Sequence, residues 1–350
     1  MTETMIRRSG VTIEDVGAAA GVSRQTVSRV INDGPNVKPA VRERVEAAIK
    51  ALGYVPNLSA RRMGGGRSFL IMAINDRART IENWQAGRGN DWVDQMLYGG
   101  ITECERHGYH MVFELIDTEP ADARTQIARA LTSLRPDGVI LTPPHCDNAM
   151  LVELLAERGI PCARIGHREG AATIDVYMDE VAAARAATLH LLDLGHRRLA
   201  FLAGAPNYGS SALRETGFRN AMRERGLPAN AGQVGNGDFH FEAAARVLAA
   251  MLEPSDRPTA IIADNDEMAF AVLHVADQLG LKVPADLAVI SFEDTPGVRF
   301  SVPPLTAVRQ PVAAMIEAAC KHLIACNGRP VCVPVPFELV VRDSTGTQTG

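Results

Sequence analysis

Arg24, Gln25, Ser28 and Arg29 place polar side chains one helical turn apart near the start of a 350-residue chain. Arginine can donate two hydrogen bonds to guanine O6 and N7, and glutamine can pair with adenine N6 and N7. Short hydroxyl side chains beside them suit the phosphate oxygens of a nucleic-acid backbone. We therefore predict a surface that contacts double-stranded DNA. Its residues are Thr12, Ser23, Arg24, Gln25, Thr26, Ser28 and Arg29.

Two short helices joined by a tight turn are predicted within Val11–Asn32, and they would position this surface. Thr12 stands where an N-cap belongs, and Asp15 can return the hydrogen bond as a capping box. Gly21 supplies the turn because it has no Cβ. The second helix has an inward stripe formed by Val27, Val30 and Ile31. This pattern is typical of a helix-turn-helix, although an ordinary helical hairpin with a solvated polar face would also show it.

A third helix is predicted from Pro39, which suits a first helical turn, to the closing residue Gly53. Its apolar stripe consists of Val41, Val45, Ala48, Ile49 and Leu52. Together the three helices would form a DNA-binding headpiece over residues 1–56. A short polar helix over Asn57–Met63 and a linker at Gly64–Gly66 follow. Because helix nucleation is costly, we expect this hinge helix to form only against DNA and a partner copy.

Charge divides the chain into a basic head and an acidic body. Residues 1–64 contain ten Lys and Arg against six Asp and Glu, although the whole chain has a net charge of −5. A basic head is typical of a small nucleic-acid-binding module. The net negative charge of the whole argues against a protein that coats nucleic acid.

The composition predicts a cytoplasmic protein with no cofactor, metal site or membrane segment. The first ten residues have no apolar core like that of a signal peptide, and no apolar run is long enough to span a membrane. The six cysteines form no CxxC pair, which favours reduced core thiols over disulfides or a zinc site. They are Cys104, Cys146, Cys162, Cys320, Cys326 and Cys332.

From Ser68 onward, apolar runs of strand length alternate with amphipathic helical stretches. This alternation predicts parallel sheets with helices on both faces, and the number of units indicates two lobes. Ligands bind such sheets at the carboxyl ends of the strands, so a cleft between the lobes is expected. The predicted strands are Phe69–Ile74, His110–Ile116, Gly138–Leu141, Cys162–Ile165, Leu199–Ala203, Ala260–Ala263 and Leu287–Phe292.

Several motifs occur in an order that resembles the lactose-repressor/galactose-repressor (LacI/GalR) family of transcription regulators. In the head these are VTIEDVGAAAGVSRQTVSRVIN, VRERVEAAIKALGYVPN and ARRM. In the body they are LGHRRLAFLAG, the Ser-x-x-x-Arg-x-x-Gly-Phe of Ser210–Phe218, NDEMA, LAVISFEDT, PPLTAVRQP and ELVVRDST. The resemblance covers nearly the whole length, and several independent motifs in order are far more specific than any one alone.

The resemblance implies a homodimer, with a tetramer left open, that binds operator DNA and a small effector. It implies a helix-turn-helix headpiece, a hinge over residues 57–67, and an α/β body over residues 68–350 like the two-lobe periplasmic sugar-binding proteins. The first lobe is expected over residues 68–165 and 297–328, and the second over 166–296 and 329–350. Crossings between the lobes are expected near Ile165–Arg168, Glu293–Pro296 and Gly328–Val331.

In the head, the resemblance implies that Arg24 and Gln25 read bases with support from Arg29, and that Tyr54 and Asn57 contact the DNA backbone. Met63 stands where the family usually has a leucine wedged into the minor groove. Methionine is apolar and flexible enough to act as this wedge. Two further contacts are expected at Asn32 and Arg61.

In the cleft, the resemblance implies that Arg214 holds ligand hydroxyl or carboxylate groups, Asn265 binds ligand, and Phe239 packs on an apolar ligand face. Glu293 stands where the family usually has aspartate, and Gly166 replaces another, for which His167 could compensate. The expected effector contacts are Trp92, His167, Arg214, Phe239, Asn265 and Glu293.

The segment after the first body strand is longer than the family loop and contains Arg77, Arg79 and Arg88. These arginines either form a lid over the cleft or remain solvated. Asp266 is expected to cap its helix rather than to bind ligand.

These features predict a repressor that is released from a pseudo-palindromic operator by a sugar, with a pentose such as xylose as the first candidate. A regulator that is activated by its ligand, or that needs a nucleobase or other metabolite as corepressor, is the alternative. An enzyme is not expected, because no nucleophile–base pair, zinc motif or nucleotide loop is found. A free sugar-binding protein would not need the basic head.

Overall fold

The computed structural model describes residues 11–31, 34–54, 67–88, 91–118, 120–166, 172–228, 232–325 and 329–346. The chain divides into two compact units, one formed by Met1–Leu70 with Ser133–Asp137 and the other by the rest of the body. Five of the expected contacts lie outside the described residues, so they stay predictions. They are Asn32, Asn57, Arg61, Met63 and His167.

The headpiece consists of helices α1 (Ile13–Ala20), α2 (Arg24–Ile31) and α3 (Pro39–Leu52). Thr12 and Asp15 form the predicted capping box, in which the Thr12 backbone N–H donates to Asp15 Oδ2 over 2.8 Å. Gly21 ends α1 with φ of +64°, a conformation that a residue with a Cβ adopts at a cost. Local sequence signals therefore determine where the first helix begins and ends.

One apolar cluster holds the three helices together. Its fully buried members include Val16 on α1, Val27 on α2 and Val45 on α3. Tyr54, just after α3, is buried in the same cluster. Leu52, which the sequence analysis placed in the inward stripe of α3, is instead 37% exposed. The buried stripes leave the polar side of α2 facing outward.

The body contains two six-stranded sheets. The first has the order β11-β5-β4-β3-β1-β2, and the second has the order β12-β10-β9-β8-β6-β7. Neighbours β1 and β3 pair in parallel from Ile71 opposite Gly138 to Ile74 opposite Leu141. In the second sheet, β12 pairs antiparallel with β10. The strands are β1 (Leu70–Asp76), β2 (His110–Ile116), β3 (Gly138–Leu141), β4 (Cys162–Ile165), β5 (Ile174–Tyr177), β6 (Leu199–Ala203), β7 (Gly232–Asn236), β8 (Ala260–Ala263), β9 (Ala288–Glu293), β10 (Thr306–Arg309), β11 (Val331–Pro334) and β12 (Glu338–Val340).

Helices alternate with these strands, as the pattern of apolar runs predicts. A 3₁₀ turn lies at His145–Asp147, just before the helix that begins at Ala149. The body helices are α4 (Arg77–Gln85), α5 (Asp91–Arg106), α6 (Pro120–Leu134), α7 (Ala149–Glu157), α8 (Glu180–Asp193), α9 (Gly209–Glu224), α10 (Phe241–Leu252), α11 (Asp266–Gln278), α12 (Gly297–Phe300) and α13 (Val312–Ala325). No helix in the described part of the chain is long and apolar enough to cross a membrane.

The crossings between the lobes lie later in the chain than the sequence analysis placed them. Strand β5 pairs in parallel with β4, with Ala163 opposite Ile174, so the chain stays in the first sheet beyond residue 166. Strand β10 pairs with β9 in the second sheet, and β11 pairs with β5 in the first. The crossings therefore fall near residues 178–179, 310–311 and 335–337. Pairing partners, which the sequence pattern did not reveal, decide these boundaries.

Each lobe has a buried strand core. All seven residues of β1 are buried, and the burial fits a central parallel strand that is covered on both faces. In the second lobe, Ala200, Val272 and Leu305 belong to one apolar cluster that includes residues from β6, α11 and the segment before β10. Rigid strands on both sides thus position the loops at their carboxyl ends.

Candidate functional site

A cavity of about 550 Å³ lies between the two lobes, at the carboxyl ends of several strands. Its lining comes from both lobes, as the location of ligand sites in open α/β sheets predicts. All of the expected effector contacts that the structure describes line this cavity, and Gly166, the neighbour of His167, does so as well. These residues are Trp92, Arg214, Phe239, Asn265 and Glu293.

Arg214, on α9, is fixed by two carboxylates. Its Nε donates to Glu180 Oε2 over 2.7 Å, and its Nη1 donates to Asp264 Oδ1 over 2.8 Å. Only 4% of its side chain is exposed. Burial opposes the charge of Arg214, but the two carboxylates outweigh that effect and raise its pKa above the ordinary value. The guanidinium is therefore a permanent charge that is held rigidly at the cavity wall.

Asn265 and Phe239 are linked at the start of α11. Asn265 is the N-cap of this helix, since its Oδ1 accepts from the Met268 N–H over 2.9 Å. Its Nδ2 donates to the Phe239 carbonyl over 3.2 Å. The cap is thus Asn265 and not Asp266, which the sequence analysis assigned to that role. Asp266 instead accepts from the Thr295 N–H through Oδ2 over 2.7 Å.

The loop that carries Phe239 has an unusual backbone. Asp238 and Phe239 have φ values of +53° and +59°, which bulky residues rarely adopt. The Phe239 ring reaches Gly204, where a Cβ would lie 2.0 Å from the ring and so could not be accommodated. The ring also meets Tyr208 edge to face, with 5.4 Å between centroids. Such strain is typical of ligand clamps and must be held by surrounding contacts.

Four carboxyl groups that line the cavity have raised pKa values. Burial raises the pKa of Glu180, although Arg214 opposes the shift. Burial raises the pKa of Asp266 to about 7, and nearby Asp294 contributes. Burial and the neighbouring Asp266 raise the pKa of Glu293 well above its ordinary value. Burial and Asp94 raise that of Asp91. Protonated carboxyls can donate as well as accept hydrogen bonds, which suits a polar, uncharged ligand.

The structure adds cavity residues that the sequence analysis missed. Asp76 follows the apolar part of β1 and accepts from the Tyr208 hydroxyl over 3.0 Å. Asp264 follows β8 directly. A polar residue at the carboxyl end of a buried strand is the signal that could have revealed both. Glu180 and Tyr208 carry no comparable signal in the sequence.

The long segment after β1 forms helix α4 and reaches the opposite lobe. Arg79 donates to the Asp238 carbonyl over 3.1 Å, and Arg88 contacts His240 Nδ1 over 2.9 Å. Arg77 instead lies 3.9 Å from Asp117 in its own lobe and is half exposed. Arg79 and Arg88 therefore contact the opposite lobe across the cleft, as a lid would. Arg77 instead takes the second alternative, a solvated position.

The predicted DNA-contacting surface lies on the outer side of the headpiece. Arg24, Gln25 and Arg29 are exposed, and Arg24 Nε lies 3.4 Å from Glu14 Oε1. Thr12 and Ser23 are exposed, whereas Thr26 and Ser28 are partly exposed. Ser23 caps α2 by accepting from the Thr26 N–H over 3.2 Å. Tyr54, by contrast, has its ring in the headpiece core.

A metal centre has no counterpart in the described residues, since no three His, Cys, Asp or Glu side chains there form a group that could hold an ion. Among the cysteines in those ranges, four are buried thiols and Cys332 is exposed, and none of these five is in a disulfide. Burial raises the pKa of the Cys162 thiol to about 12.

A helix-turn-helix headpiece on a two-lobe α/β body with a cleft is the architecture of a ligand-responsive transcription regulator. The chain belongs to the lacI family of bacterial regulatory proteins, whose model matches residues 12–57. A model of the periplasmic binding protein-like domain matches residues 188–345. These matches confirm the family and the fold class that the sequence analysis predicted.

Full-length relatives support the same assignment. The chain is 32% identical to the HTH-type transcriptional regulator CelR of Thermobifida fusca, over 97% of this chain and 100% of that one. It is also 32% identical to the ribose operon repressor of Escherichia coli strain K12, over 89% and 92%. These relatives are transcription regulators, which confirms that the chain is a regulator and not an enzyme.

Solved structures show the same architecture. A CelR–cellobiose complex superposes with a TM-score of 0.71 at 28% identity, covering 95% of this chain and 99% of that one. A lac repressor dimer bound to operator and the anti-inducer ONPF gives a TM-score of 0.78 at 26% identity, over 97% and 100%. Both superpositions cover the headpiece as well as the body.

Proposed function

We propose that this regulator is a repressor, binding a pseudo-palindromic operator as a dimer and released by a small sugar. A pentose such as xylose is the first candidate. The observation that carries the effector part is the 550 Å³ cavity, in which aromatic rings and bidentate hydrogen-bonding groups lie together. A polyol ring has apolar C–H faces and a polar rim, so it needs both kinds of group.

The DNA-binding part is supported by the division of α2 into two sides. Val27 and Val30 are buried in the headpiece core, whereas Arg24, Gln25 and Arg29 are exposed. The ion pair of Arg24 with Glu14 joins two exposed side chains, so breaking it to contact a base costs little. Thr12, Ser23, Thr26 and Ser28 would contact phosphates. Asn32, Tyr54, Asn57 and Arg61 would add backbone contacts, with Met63 as the minor-groove wedge.

A dimer is supported by exposed apolar side chains on helix α5. It would also fit the proposed pseudo-palindromic operator, whose two half-sites would each take one headpiece. On helix α5, Tyr98 is 66% exposed and Ile101 is 51% exposed. Large exposed apolar residues that lie together are typical of protein interfaces. Sedimentation should therefore give a dimer, and substituting aspartate at both positions should give a monomer that binds operator weakly.

Relatives add support for a sugar. One is named for a ribose operon, and another has been solved with cellobiose. In the cavity, Trp92, Phe239 and Tyr208 offer aromatic surface, and Arg214, Asn265 and Glu293 offer hydrogen-bonding groups. A nucleobase is the second candidate, because it too would stack on these rings. The HTH-type transcriptional repressor PurR of Photobacterium profundum, 29% identical over 89% of this chain and 91% of that one, is also among the relatives.

The proposed mechanism is a shift between two populations. The ligand binds between the lobes and favours a closed cleft, which moves the first lobes and separates the paired hinge segments of residues 57–67 on the operator. The ligand must then bind the DNA-free form more tightly. By linkage, operator must weaken ligand binding by the same factor. A corepressor would show the opposite sign.

A thermal-shift screen tests the proposal most economically. Pentoses, hexoses, cellobiose, purines and amino acids would be added to the full chain, since a ligand at a hundred times its Kd stabilises by about 2.7 kcal/mol. We expect a pentose to raise the Tm. Glu293→Ala and Trp92→Ala should reduce that shift, whereas Phe300→Ala, at an exposed phenylalanine outside the cavity lining, should not. A shift with purines alone would contradict the sugar proposal, and unchanged binding by Glu293→Ala and Trp92→Ala would contradict the site.

A further inference from the structure

Helix α4 is anchored to the first lobe along one side. Asp76, at the end of β1, caps it by accepting from the Arg79 N–H over 3.2 Å. Trp84 packs edge to face on Phe113 of β2, with 6.5 Å between centroids. The helix therefore moves with the first lobe, and whatever it contacts in the second lobe resists the opening of the cleft.

Arg79 makes the first of these cross-cleft contacts. Its Nη1 donates to the Asp238 carbonyl over 3.1 Å, and its Nη2 donates to Asp238 Oδ1 over 3.2 Å. The guanidinium also lies over the rings of Tyr208 and Phe239, 5.3 and 5.4 Å from their centroids. A planar, permanently charged group is suited to both kinds of contact at once. Arg79 thus holds the strained loop that carries Phe239.

Arg88, just beyond the end of α4, makes the second contact across the cleft. Its Nη1 lies 2.9 Å from His240 Nδ1, and its Nη2 donates to Glu242 Oε2 over 3.1 Å. Its Nε lies 3.6 Å from Glu267 Oε1. These three partners belong to the second lobe, at or near the starts of α10 and α11, whereas a fourth, Glu82 on α4, accepts from Nη1 over 3.3 Å. Only 22% of the Arg88 side chain is exposed, so it is largely enclosed by these groups.

The favourable contacts are offset by identifiable costs. Asp238 is half exposed and Glu242 is 63% exposed, so each ion pair is weakened by water and salt. The Arg79 Nε is buried and has no hydrogen-bond partner among the described residues. Asp238 and Phe239 retain their positive φ values. Opening would hydrate the orphaned donor, which offsets part of the free energy lost with the cross-cleft contacts.

We propose that the segment Arg77–Arg88 is a strap that holds the effector cleft closed through Arg79 and Arg88. The inference rests on the proposed function of the cleft and adds a regulatory element to it. Strap and ligand stabilise the same closed state, so the strap increases the fraction of binding-competent protein before ligand arrives. Without it, the ligand would have to close the cleft unaided, and its apparent affinity would fall by that fraction.

Amide hydrogen exchange on the ligand-free full chain tests the strap without knowledge of the effector. Peptides covering residues 237–242 in the second lobe should exchange about fivefold faster in Arg88→Ala and in Arg79→Ala, the sum of two or three weak pairs. Arg77→Ala is the matched control, because it removes an arginine of the same helix that contacts only its own lobe. It should leave that exchange unchanged.

Two further arms separate a strap from a general loss of stability. Exchange in residues 237–242 should quicken between 50 mM and 1 M salt in the wild type and by less in Arg88→Ala, because that variant leaves the Arg79–Asp238 pair for salt to screen but removes those of Arg88. The swap Arg88→Glu with Glu242→Arg should restore part of the protection that Arg88→Glu alone loses. Unchanged exchange in Arg79→Ala and Arg88→Ala, or equal losses in Arg77→Ala, would overturn the strap. Either result would leave the effector proposal standing, because that proposal depends on ligand binding at Glu293 and Trp92.

Discussion

The headpiece and the cleft hold their functional side chains in opposite ways. On α2, Arg24, Gln25 and Arg29 are exposed, and buried valines on the other side of the helix hold them in place. In the cleft, Arg214 is almost fully buried and bound to Glu180 and Asp264. The headpiece side chains are thus exposed to solvent, whereas the cleft side chains bind one another through ion pairs and hydrogen bonds.

The difference predicts different consequences of mutation. Removing an exposed headpiece arginine takes away contacts with DNA and leaves the fold intact. Removing a buried cleft arginine leaves two carboxylates without their cation, so the fold suffers before any ligand is bound. Mutations on the exposed side of α2 should therefore change DNA affinity without changing stability. Mutations of buried cleft residues should change ligand affinity and stability together.

Arg214→Ala gives the largest expected effect. It leaves Glu180 and Asp264 buried without a counter-ion, and we expect the free energy of unfolding to fall by about 3–5 kcal/mol. Urea denaturation measures this loss. Arg219→Ala, on the same helix, breaks an exposed pair with Glu215 and should cost about 1 kcal/mol or less. A loss in Arg214→Ala no larger than in Arg219→Ala would contradict the distinction between the two regions.

The pH dependence of stability should have opposite signs in the two regions. Because burial raises the pKa of Asp266 to about 7, its contribution is fully present below pH 4 and is lost as pH rises towards 7. Between pH 5 and 7 we expect the body to lose about 2 kcal/mol, much of which Asp266→Asn should abolish. In the headpiece, hydrogen bonds from Thr12 lower the pKa of Asp15, so its contribution is lost as pH falls.

Denaturant titrations at pH 5, 6 and 7 measure this dependence for the body. Asp266 and Glu293 titrate together, so the apparent midpoint belongs to the pair. The body could instead become more stable from pH 5 to pH 7, with the same pH dependence in Asp266→Asn. That result would show that Asp266 ionises at little cost in stability.

Arg24→Ala should affect binding alone. Losing a bidentate base contact should weaken operator binding by about 1–3 kcal/mol and relax the preference at one base pair per half-site. The free energy of unfolding should change by less than about 0.5 kcal/mol, because the side chain is exposed. Arg61→Ala should instead weaken binding to all sequences and flatten its salt dependence. Equal losses by Arg24→Ala on operator and random DNA would make Arg24 a phosphate contact.

Thr12→Ala should produce the smallest effect. It removes the hydroxyl that accepts from the Asp15 N–H, and losing such a cap costs about 1 kcal/mol. The loss should appear in the headpiece transition and leave the body unchanged. Thr12→Ser keeps the cap and serves as the control. If Thr12→Ser were as unstable as Thr12→Ala, the hydroxyl would not be the stabilising group.

The same contrast explains which features could be predicted from the sequence. Caps, turns and apolar stripes act within a few residues, so the positions of α1, α2 and α3 were predicted closely. The strand of residues 260–263 and the polar Asn265 that follows it could also be predicted from the local sequence. The packing of α8 against α9 could not be predicted from local sequence, so the sequence analysis did not identify Glu180 as a cleft residue.

Two errors have the same origin. The lobe crossings were misplaced because short strands such as β5 carry little signal of which neighbour they join. Helix α4 was read as a loop because most of its residues are polar and just one, Thr80, is buried. Arg79 and Arg88 are held by acids that lie more than 150 residues away in the sequence. Such contacts are invisible to local periodicity.

The coupling between ligand binding and operator binding tests the proposed mechanism of repression. An operator selected from genomic fragments would be labelled, and its Kd measured by fluorescence anisotropy with and without a saturating ligand from the thermal-shift screen. Calorimetry would then give the ligand Kd with and without saturating operator. The account predicts that ligand weakens operator binding by some factor and that operator weakens ligand binding by the same factor. Operator affinity that is identical with and without a ligand bound at Glu293 and Trp92 would contradict it.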